Sequence, residues 1–305
     1  MKIAVIGAGG VGGYFGARLA RGGHDVQFLA RGRHLAAMRE SGLRIDSEVE
    51  RFTLERPQVT DDPRELRPAD VMLVTTKLWD LEETARQLAP GLAPHTVVVP
   101  FQNGVDAVDI LATSIPRAHI AAGVAYVSAL IAEPGTIRHV GTMARLRVGA
   151  LHPAQRDTLR ALAEAGAACG CASDLDDDAQ WMLWEKFISL NALSGITALT
   201  RQPVGVVRAD RHMRATALAS VRECAELARR SGVRVPHGFE DSRAQMLDAL
   251  PAEMRASMAH DLLAGRRLEA PWLCGAVVRR AEVIGLDVPV NATIWAAMKP
   301  FVDGA

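Results

Sequence analysis

The start of the chain constrains the fold more than any other stretch. A short β-branched run, residues 2–6, leads into the motif G-x-G-x-x-G and then into a helical pattern. Gly7 permits a tight turn, Gly9 lets backbone approach a pyrophosphate, and Gly12 lets the helix lie close to the sheet. Strand, glycines and helix occur in the required order, which predicts a dinucleotide-binding loop rather than a glycine-rich surface turn. The nucleotide contacts are expected from Gly7, Ala8, Gly9, Gly10, Val11 and Gly12.

Strand and helix patterns then alternate, as in a doubly wound sheet. Gly22-Gly23 is expected to end the first helix. A helix is predicted over 81–88, and further strands are predicted over 26–30, 71–74, 96–99, 120–130, 136–140 and 146–148, the last three antiparallel and closing the first domain.

The composition shifts after the acidic stretch 173–178, because strand patterns nearly vanish and helical segments run from 180 to 301. We interpret the acidic stretch as a solvated linker and helix N-cap rather than a metal site. The boundary is placed after residue 177. The expected fold is therefore α/β, with an N-terminal Rossmann-type doubly wound sheet in a cofactor-binding domain (1–177), followed by an all-helical domain (178–305) for substrate and catalysis.

The end of the second predicted strand indicates which cofactor fits. An NAD enzyme usually has Asp or Glu there, about 20 residues beyond the glycines, to bind the ribose hydroxyls. This chain has Ala30-Arg31-Gly32-Arg33 instead. With no carboxylate to repel a phosphate and two guanidinium groups to bind it, the sequence favours NADP, with Arg31 on its 2′-phosphate. The alternative is that Arg31 and Arg33 are solvated loop charges.

Charge and hydropathy narrow the class of protein. The 35 basic residues balance 35 acidic ones, so we expect neither a nucleic-acid partner nor a membrane-binding surface. The longest uncharged run, 120–132, is well short of the roughly 20 residues that span a bilayer. A strand at the first residues leaves no room for a signal peptide, which predicts a cytoplasmic protein. A homodimer is left open.

The four cysteines are too scattered for a disulfide framework in a chain of this length. Cys169-Gly170-Cys171 has no accompanying His or Cys at zinc-ligand spacing. We therefore expect small buried thiols and no bound metal.

Polar residues follow two of the predicted parallel strands. Thr76 and Lys77 come after the strand 71–74, and Asn103 comes after the strand 96–99. Ligands of open parallel sheets bind beyond the carboxyl ends of the strands. Their position alone makes these residues candidates for the cofactor crevice.

Lys186 is the candidate for chemistry in the helical half. It lies in the helix Trp181-Met182-Leu183-Trp184-Glu185-Lys186-Phe187, where desolvation would lower its pKa and make it a usable proton donor near neutral pH. The alternative is a lysine whose ammonium group reaches solvent along an apolar surface.

Together the motifs resemble those of the ketopantoate reductases, also called 2-dehydropantoate 2-reductases. The resemblance covers nearly the whole chain in collinear order. Its most specific part is the Trp-Glu-Lys helix combined with Ser257 and Glu269. Its other parts are the glycine motif, Arg31, Thr76-Lys77, Gln102-Asn103-Gly104, Met258 and Asp261.

The resemblance implies catalytic roles for Lys186 and Glu269. Lys186 would be the general acid that protonates the ketone oxygen as hydride arrives from NADPH, and Glu269 would assist it or bind the hydroxyl side of the substrate. Local sequence offers Glu269 another role, since a carboxylate before Pro271 and a helix is ordinary capping.

The resemblance also implies binding roles. Ser257 would hold the substrate carboxylate, although a serine in a helical pattern is most often a surface residue. Asn103 and Lys77, next to Thr76, would orient the nicotinamide ribose and the substrate. Asn103 and Ser194 complete the expected substrate contacts.

The chain departs from the family pattern beside Lys186. Asparagines usually follow the lysine by four and eight residues, where this chain has Leu190 and Ser194, and Met254 replaces a further one. Asn191 lies about 140° around the helix from Lys186, so it cannot substitute for them. The pocket is therefore more apolar than a hydroxylated substrate needs, and such changes alter substrate preference strongly.

The sequence thus predicts an NADPH-dependent reductase of a 2-oxo acid. By resemblance the leading reaction is 2-dehydropantoate to (R)-pantoate, in pantothenate biosynthesis. The alternatives are a reductase for another branched 2-oxo acid, a catalytically inactive NADP-binding regulatory protein, and a 3-hydroxy acid dehydrogenase of the 6-phosphogluconate type.

Overall fold

The chain forms two compact units. The computed structural model describes residues 1–304. The first unit comprises Met1–Gln102 and Ala107–Met182, and the second comprises Asn103–Asp106 and the chain from Leu183 onward. The domain boundary after residue 177 stays a prediction.

The first unit alternates strands and helices, continues into a long hairpin, and then adds a further helix and strand. Its elements in chain order are β1 (Lys2–Ile6), α1 (Gly10–Arg21), β2 (Asp25–Leu29), α2 (Gly32–Ser41), β3 (Leu43–Ser47), β4 (Phe52–Leu54), β5 (Gln58–Thr60), β6 (Val71–Val74), α3 (Leu81–Leu88), β7 (Val97–Pro100), α4 (Ala107–Leu111), β8 (Ala122–Glu133), β9 (Thr136–Gly149), α5 (Arg156–Ala168) and β10 (Ala172–Asp176).

A parallel sheet organises the nucleotide-binding half of this unit. Its strand order is β5-β2-β1-β6-β7, and every neighbouring pair is parallel. The residues of β6 and β7 are all buried, which explains their continuous apolar sequence, since parallel strands are covered on both faces. The predicted strand 71–74 and helix 81–88 coincide with β6 and α3, and Gly22 follows the end of α1 as expected.

A second sheet, which the sequence did not predict in full, has the order β10-β9-β3-β4, with β8 paired antiparallel to β9. The predicted strands 136–140 and 146–148 are parts of the single strand β9.

The acidic stretch 173–178 is not a solvated linker, because most of it forms β10, parallel to β9. Its carboxylates are neutralised across the strands: Asp174 pairs with Arg145 at 2.7 Å, and Asp176 pairs with Arg147. The N-cap part of the prediction is confirmed, because Oδ1 of Asp178 accepts a hydrogen bond from the backbone N–H of Trp181 at 2.9 Å.

The rest of the chain is helical, as predicted. Its helices are α6 (Ala179–Thr200), which begins in the first unit, then α7 (Val204–Ala209), α8 (Arg211–Arg230), α9 (Phe239–Ala249), α10 (Ser257–Leu263), α11 (Cys274–Val283) and α12 (Pro289–Met298). Along residues 1–304, none of the helices combines the length and the apolar character that crossing a membrane requires. The α/β fold class, a parallel sheet followed by a helical region, is confirmed.

The cysteines are buried thiols, as expected, apart from the partly exposed Cys169. Burial raises the pKa of Cys171 to about 11 and that of Cys274 to about 12, and it raises the pKa of Cys224 further. Such thiols stay protonated at neutral pH and are poor nucleophiles.

Gly12 shows why α1 has glycines on its sheet-facing side. A Cβ on Gly12 would collide with the carbonyl oxygen of Gly7 and the hydroxyl of Thr75, and would lie 2.8 Å from Cγ1 of Val5. A Cβ on Gly9, by contrast, would meet no atom within 4 Å. Gly12 is therefore required for packing, whereas the space beside Gly9 is open.

We expect Gly12→Ala to lower the free energy of unfolding by about 3 kcal/mol, because the added methyl group would collide with the backbone of Gly7 and the hydroxyl of Thr75. The measurement is chemical denaturation of the full chain. The matched control is Gly9→Ala, which should cost less than about 1 kcal/mol but should weaken the binding of NADPH, since its methyl group enters the open space. Equal stability losses in the two variants would contradict this account.

Candidate functional site

The nucleotide-binding half of the site is the N-terminus of α1. Gly9 precedes the helix, no side chain caps the first N–H groups, and no acidic residue lies in the first turn. With the open space beside Gly9, this leaves a cradle of backbone donors at the positive end of the helix dipole. The residues present therefore fit the pyrophosphate of a dinucleotide.

Two further side chains brace this loop: Thr75, which sequence reasoning did not single out, and Gln102, which it named only as part of the family motif. The hydroxyl of Thr75 donates a hydrogen bond to the carbonyl of Gly7 at 2.6 Å. Nε2 of Gln102 donates to the carbonyls of Val74 and Thr76, at 3.1 and 2.9 Å. These bonds join the carboxyl ends of β1, β6 and β7. Their sequence signal was the polar residue that follows each of two apolar strands.

The remaining predicted cofactor residues of the first unit lie in loops. Arg31 is exposed just before α2, and its Nη2 donates to Oε1 of Gln87 at 3.0 Å. Lys77 is exposed, with its ammonium group 5.4 Å from the centre of the Trp79 ring. Thr76 is half-buried at the end of β6. Their contacts with a cofactor stay predictions.

Lys186 lies in α6, in the second unit, between two buried aromatic residues in the sequence. Trp184 and Phe187 pack edge to face, with their centres 5.4 Å apart, and both are buried. Burial lowers the pKa of Lys186 from its usual value to about 8, and the negative charge of Glu269 opposes that shift. The lysine is thus a cation whose proton is readily transferable near neutral pH.

Glu269 is buried and accepts a hydrogen bond at Oε2 from Nδ2 of Asn103 at 2.9 Å. It precedes a short 3₁₀ turn, Ala270–Trp272, but its side chain makes no capping hydrogen bond there. The capping role considered from the sequence is therefore not the one it plays. Lys186, Glu269 and Asn103 form one electrostatic group inside the second unit.

The other predicted substrate residues are placed differently. Ser257 is exposed at the first residue of α10, and Met254 is 37% exposed just before it. Ser194 is fully buried, and its hydroxyl has no hydrogen-bond partner within residues 1–304. Leu190 is half-buried one turn after Lys186. Roles for Ser257 and Ser194 in substrate binding stay predictions.

Asn191 is buried in a packing network. Its Nδ2 donates to Oδ1 of Asn291 at 2.7 Å and contacts Sγ of Cys224 at 3.2 Å and Oγ of Ser220 at 3.4 Å. This buried network joins α6 to α8 and α12. Asn191 therefore does not replace the polar groups that the family usually carries beside the lysine.

The second unit can thus supply a proton from Lys186, a negative charge from Glu269 and an amide from Asn103. A buried ammonium group stabilises negative charge that develops on a neighbouring oxygen more strongly than an exposed one does. In the part of the chain that the structure covers, no three His, Cys, Asp or Glu side chains are grouped as a metal site.

The chain combines a nucleotide-binding loop on a parallel sheet with a buried lysine near a buried carboxylate. These features place it in the class of NAD(P)-dependent oxidoreductases. Two family descriptions match the chain: "Ketopantoate reductase PanE/ApbA" over residues 3–153 and its C-terminal counterpart over residues 178–301. The chain belongs to the ketopantoate reductase family.

Similar proteins cover essentially the full length of the chain. A 2-dehydropantoate 2-reductase of Halobacterium salinarum is 30% identical over 96% of each chain. An uncharacterized oxidoreductase of Bacillus subtilis, YkpB, is 27% identical over 99% of each chain. The crystal structure of a PanE/ApbA family ketopantoate reductase from Ralstonia eutropha is 32% identical, with a TM-score of 0.88 over 99% of this chain and 98% of that one.

Proposed function

We propose that this oxidoreductase reduces a 2-oxo acid with NADPH, and that 2-dehydropantoate, reduced to (R)-pantoate, is its leading substrate. The observation that carries the proposal is the group formed by Lys186, Glu269 and Asn103 in a member of this family. An inactive regulatory protein would have no need to keep a buried ammonium group beside a buried carboxylate, since burying charge is costly.

The proposed chemistry follows from the charge that develops on the substrate. Bound NADPH supplies a hydride to the carbonyl carbon, which leaves negative charge on the carbonyl oxygen. Lys186 donates a proton to that oxygen and stabilises the transition state more than the ground state. Glu269 keeps the lysine protonated at neutral pH, because its charge raises the lysine pKa against the effect of burial.

The preference for NADPH rests on the loop after β2. Arg31 is exposed there, and Arg33 and the absence of a carboxylate at this strand end make the loop cationic. Thr76, Lys77 and Asn103 are proposed to bind the nicotinamide end of the cofactor.

A second candidate substrate is another branched 2-oxo acid with no hydroxyl. It is favoured by Leu190 and Met254, which put apolar side chains where the family usually has asparagines. In both cases Ser257, Ser194 and Asn103 are the proposed substrate contacts. A cytoplasmic location, a homodimer and a role in pantothenate biosynthesis also stay predictions.

Lys186→Ala is expected to lower kcat at least 100-fold for whichever 2-oxo acid the wild type reduces, because a general acid contributes about 10²- to 10⁴-fold. The assay is NADPH oxidation with a panel of 2-oxo acids that includes 2-dehydropantoate. Lys299→Ala, an exposed lysine of the same unit, is the control. Full activity in Lys186→Ala would refute the catalytic role, and tight NADPH binding without turnover in the wild type would favour the regulatory alternative.

The pH profile of kcat/KM should fall as the pH rises through about 8, where Lys186 loses its proton. Glu269→Gln removes the charge that raises the lysine pKa, so the fall should move to lower pH. Steady-state kinetics from pH 6 to 10, in roughly half-unit steps, would measure this. Glu226→Gln, in an exposed ion pair with Arg230, is the control and should leave the profile in place. An unshifted profile in Glu269→Gln argues against the coupling.

Arg31→Ala should weaken NADPH binding about 10- to 100-fold, the usual loss of a charged hydrogen bond, and should change NADH binding little. Titration of each nucleotide by calorimetry would measure both constants. Arg39→Ala, in α2 and paired with Asp61 at the surface, controls for the loss of a nearby positive charge. Equal losses for both nucleotides would exclude a contact with the 2′-phosphate.

A further inference from the structure

The segment Asn103–Asp106 is separated from the end of β7 of the parallel sheet by two residues, yet it is part of the second, helical unit. It carries Asn103, whose amide holds Glu269. Something must therefore keep these four residues in place against the helical unit. Two contacts beyond the Asn103 amide do so.

The first contact is a close backbone approach. Gly104 has φ +104°, a conformation that L side chains rarely adopt, and a Cβ on it would lie 2.8 Å from the carbonyl oxygen of Trp272. Trp272 ends the 3₁₀ turn that begins directly after Glu269. Gly104 therefore allows the backbone of the segment 103–106 to pack directly against this turn, next to the buried carboxylate of Glu269.

The second contact is a pair of arginines on one carboxylate. Nε and Nη2 of Arg280 both donate to Oδ1 of Asp106, at 2.9 and 2.7 Å. Nη2 of Arg279 donates to the other oxygen, Oδ2, at 3.4 Å. The side chain of Asp106 is only 16% exposed and that of Arg280 only 33% exposed. Charges in a partly buried pair are screened less, and so attract each other more strongly, than charges in open solvent.

We infer that Arg280 is a positioning residue: by holding Asp106 it fixes the segment 103–106, and so fixes the Asn103 amide against Glu269. This inference rests on the proposed function, in which Glu269 and Asn103 serve Lys186 and the substrate. Asp106 lies three residues from Asn103, so releasing one end of so short a segment displaces the other. A small displacement of a positioning group costs up to about 100-fold in rate.

The alternative is that the ion pair only stabilises the fold. The chain offers a matched comparison, since Arg229 and Glu240 join α8 to α9 in the same unit at 2.6 Å, with exposures of 39% and 27%. If both pairs contribute only to stability, breaking either one should lower the melting temperature to a similar extent and leave kcat unchanged. If Arg280 positions the segment, breaking its pair should also lower kcat, whereas breaking the pair of Arg229 should not.

The test compares Arg280→Met with Arg229→Met in the full chain. Arg280→Met should lower kcat about 10-fold or more and speed hydrogen–deuterium exchange in peptides covering 103–106. Arg229→Met should lower the melting temperature equally without these changes. Arg279→Met, which removes only the longer contact, should lie between them. The exchanged pair Asp106→Arg with Arg280→Asp should recover kcat relative to either single variant.

Unchanged exchange at 103–106 in Arg280→Met would overturn the inference, and so would faster exchange with kcat intact. If Arg280→Met does not fold, Arg280→Lys, which keeps the charge but not the pair of N–H donors that converge on Oδ1 of Asp106, gives the same comparison. If the wild type reduces no 2-oxo acid, the proposed function fails, and the exchange measurement still decides whether Arg280 fixes the segment.

Discussion

The buried ammonium group of Lys186 is the constraint on which the rest of the helical unit depends. Burial favours the neutral amine, and the charge of Glu269 opposes that preference. Glu269 is itself buried and needs a donor, which Asn103 supplies. Asn103 lies in a segment held by Asp106 and Arg280. Each buried polar group thus requires a polar partner, and the series ends at the partly exposed Arg280.

The nucleotide-binding loop of the first unit relies on backbone groups rather than on buried charged side chains. Its ligand is an anion, so it presents uncapped backbone N–H groups at a helix N-terminus and needs no charged side chain in the cradle. What it requires instead is close packing of α1 on β1, which Gly12 allows. The hydroxyl of Thr75 and the amide of Gln102 then fix the strand ends from which the loop leaves the sheet.

The sequence predicted those features whose causes are local. The apolar run of β6, the pattern of α3 and the N-cap at Asp178 depend on neighbouring residues, and all were found where expected. The strand β10 was missed because its acidic residues find their arginine partners on β9, about 29 positions away along the chain. The bond from Asn103 to Glu269 spans 166 positions, so no local pattern encodes it. The family resemblance predicted both residues, but not their contact.

The asparagine of α6 shows how one helix divides its polar groups between chemistry and packing. At position 191 the amide is buried among Asn291, Ser220 and Cys224, where it ties α6 to α8 and α12. That network fixes the rotation of the helix, and with it the direction of the face that carries Lys186 one turn earlier. The same face then continues with Leu190, which has no hydrogen-bonding group to offer a substrate hydroxyl. Further along the helix, the hydroxyl of Ser194 is the proposed substrate contact of α6, and Asn103 supplies an amide at the buried carboxylate from outside this helix.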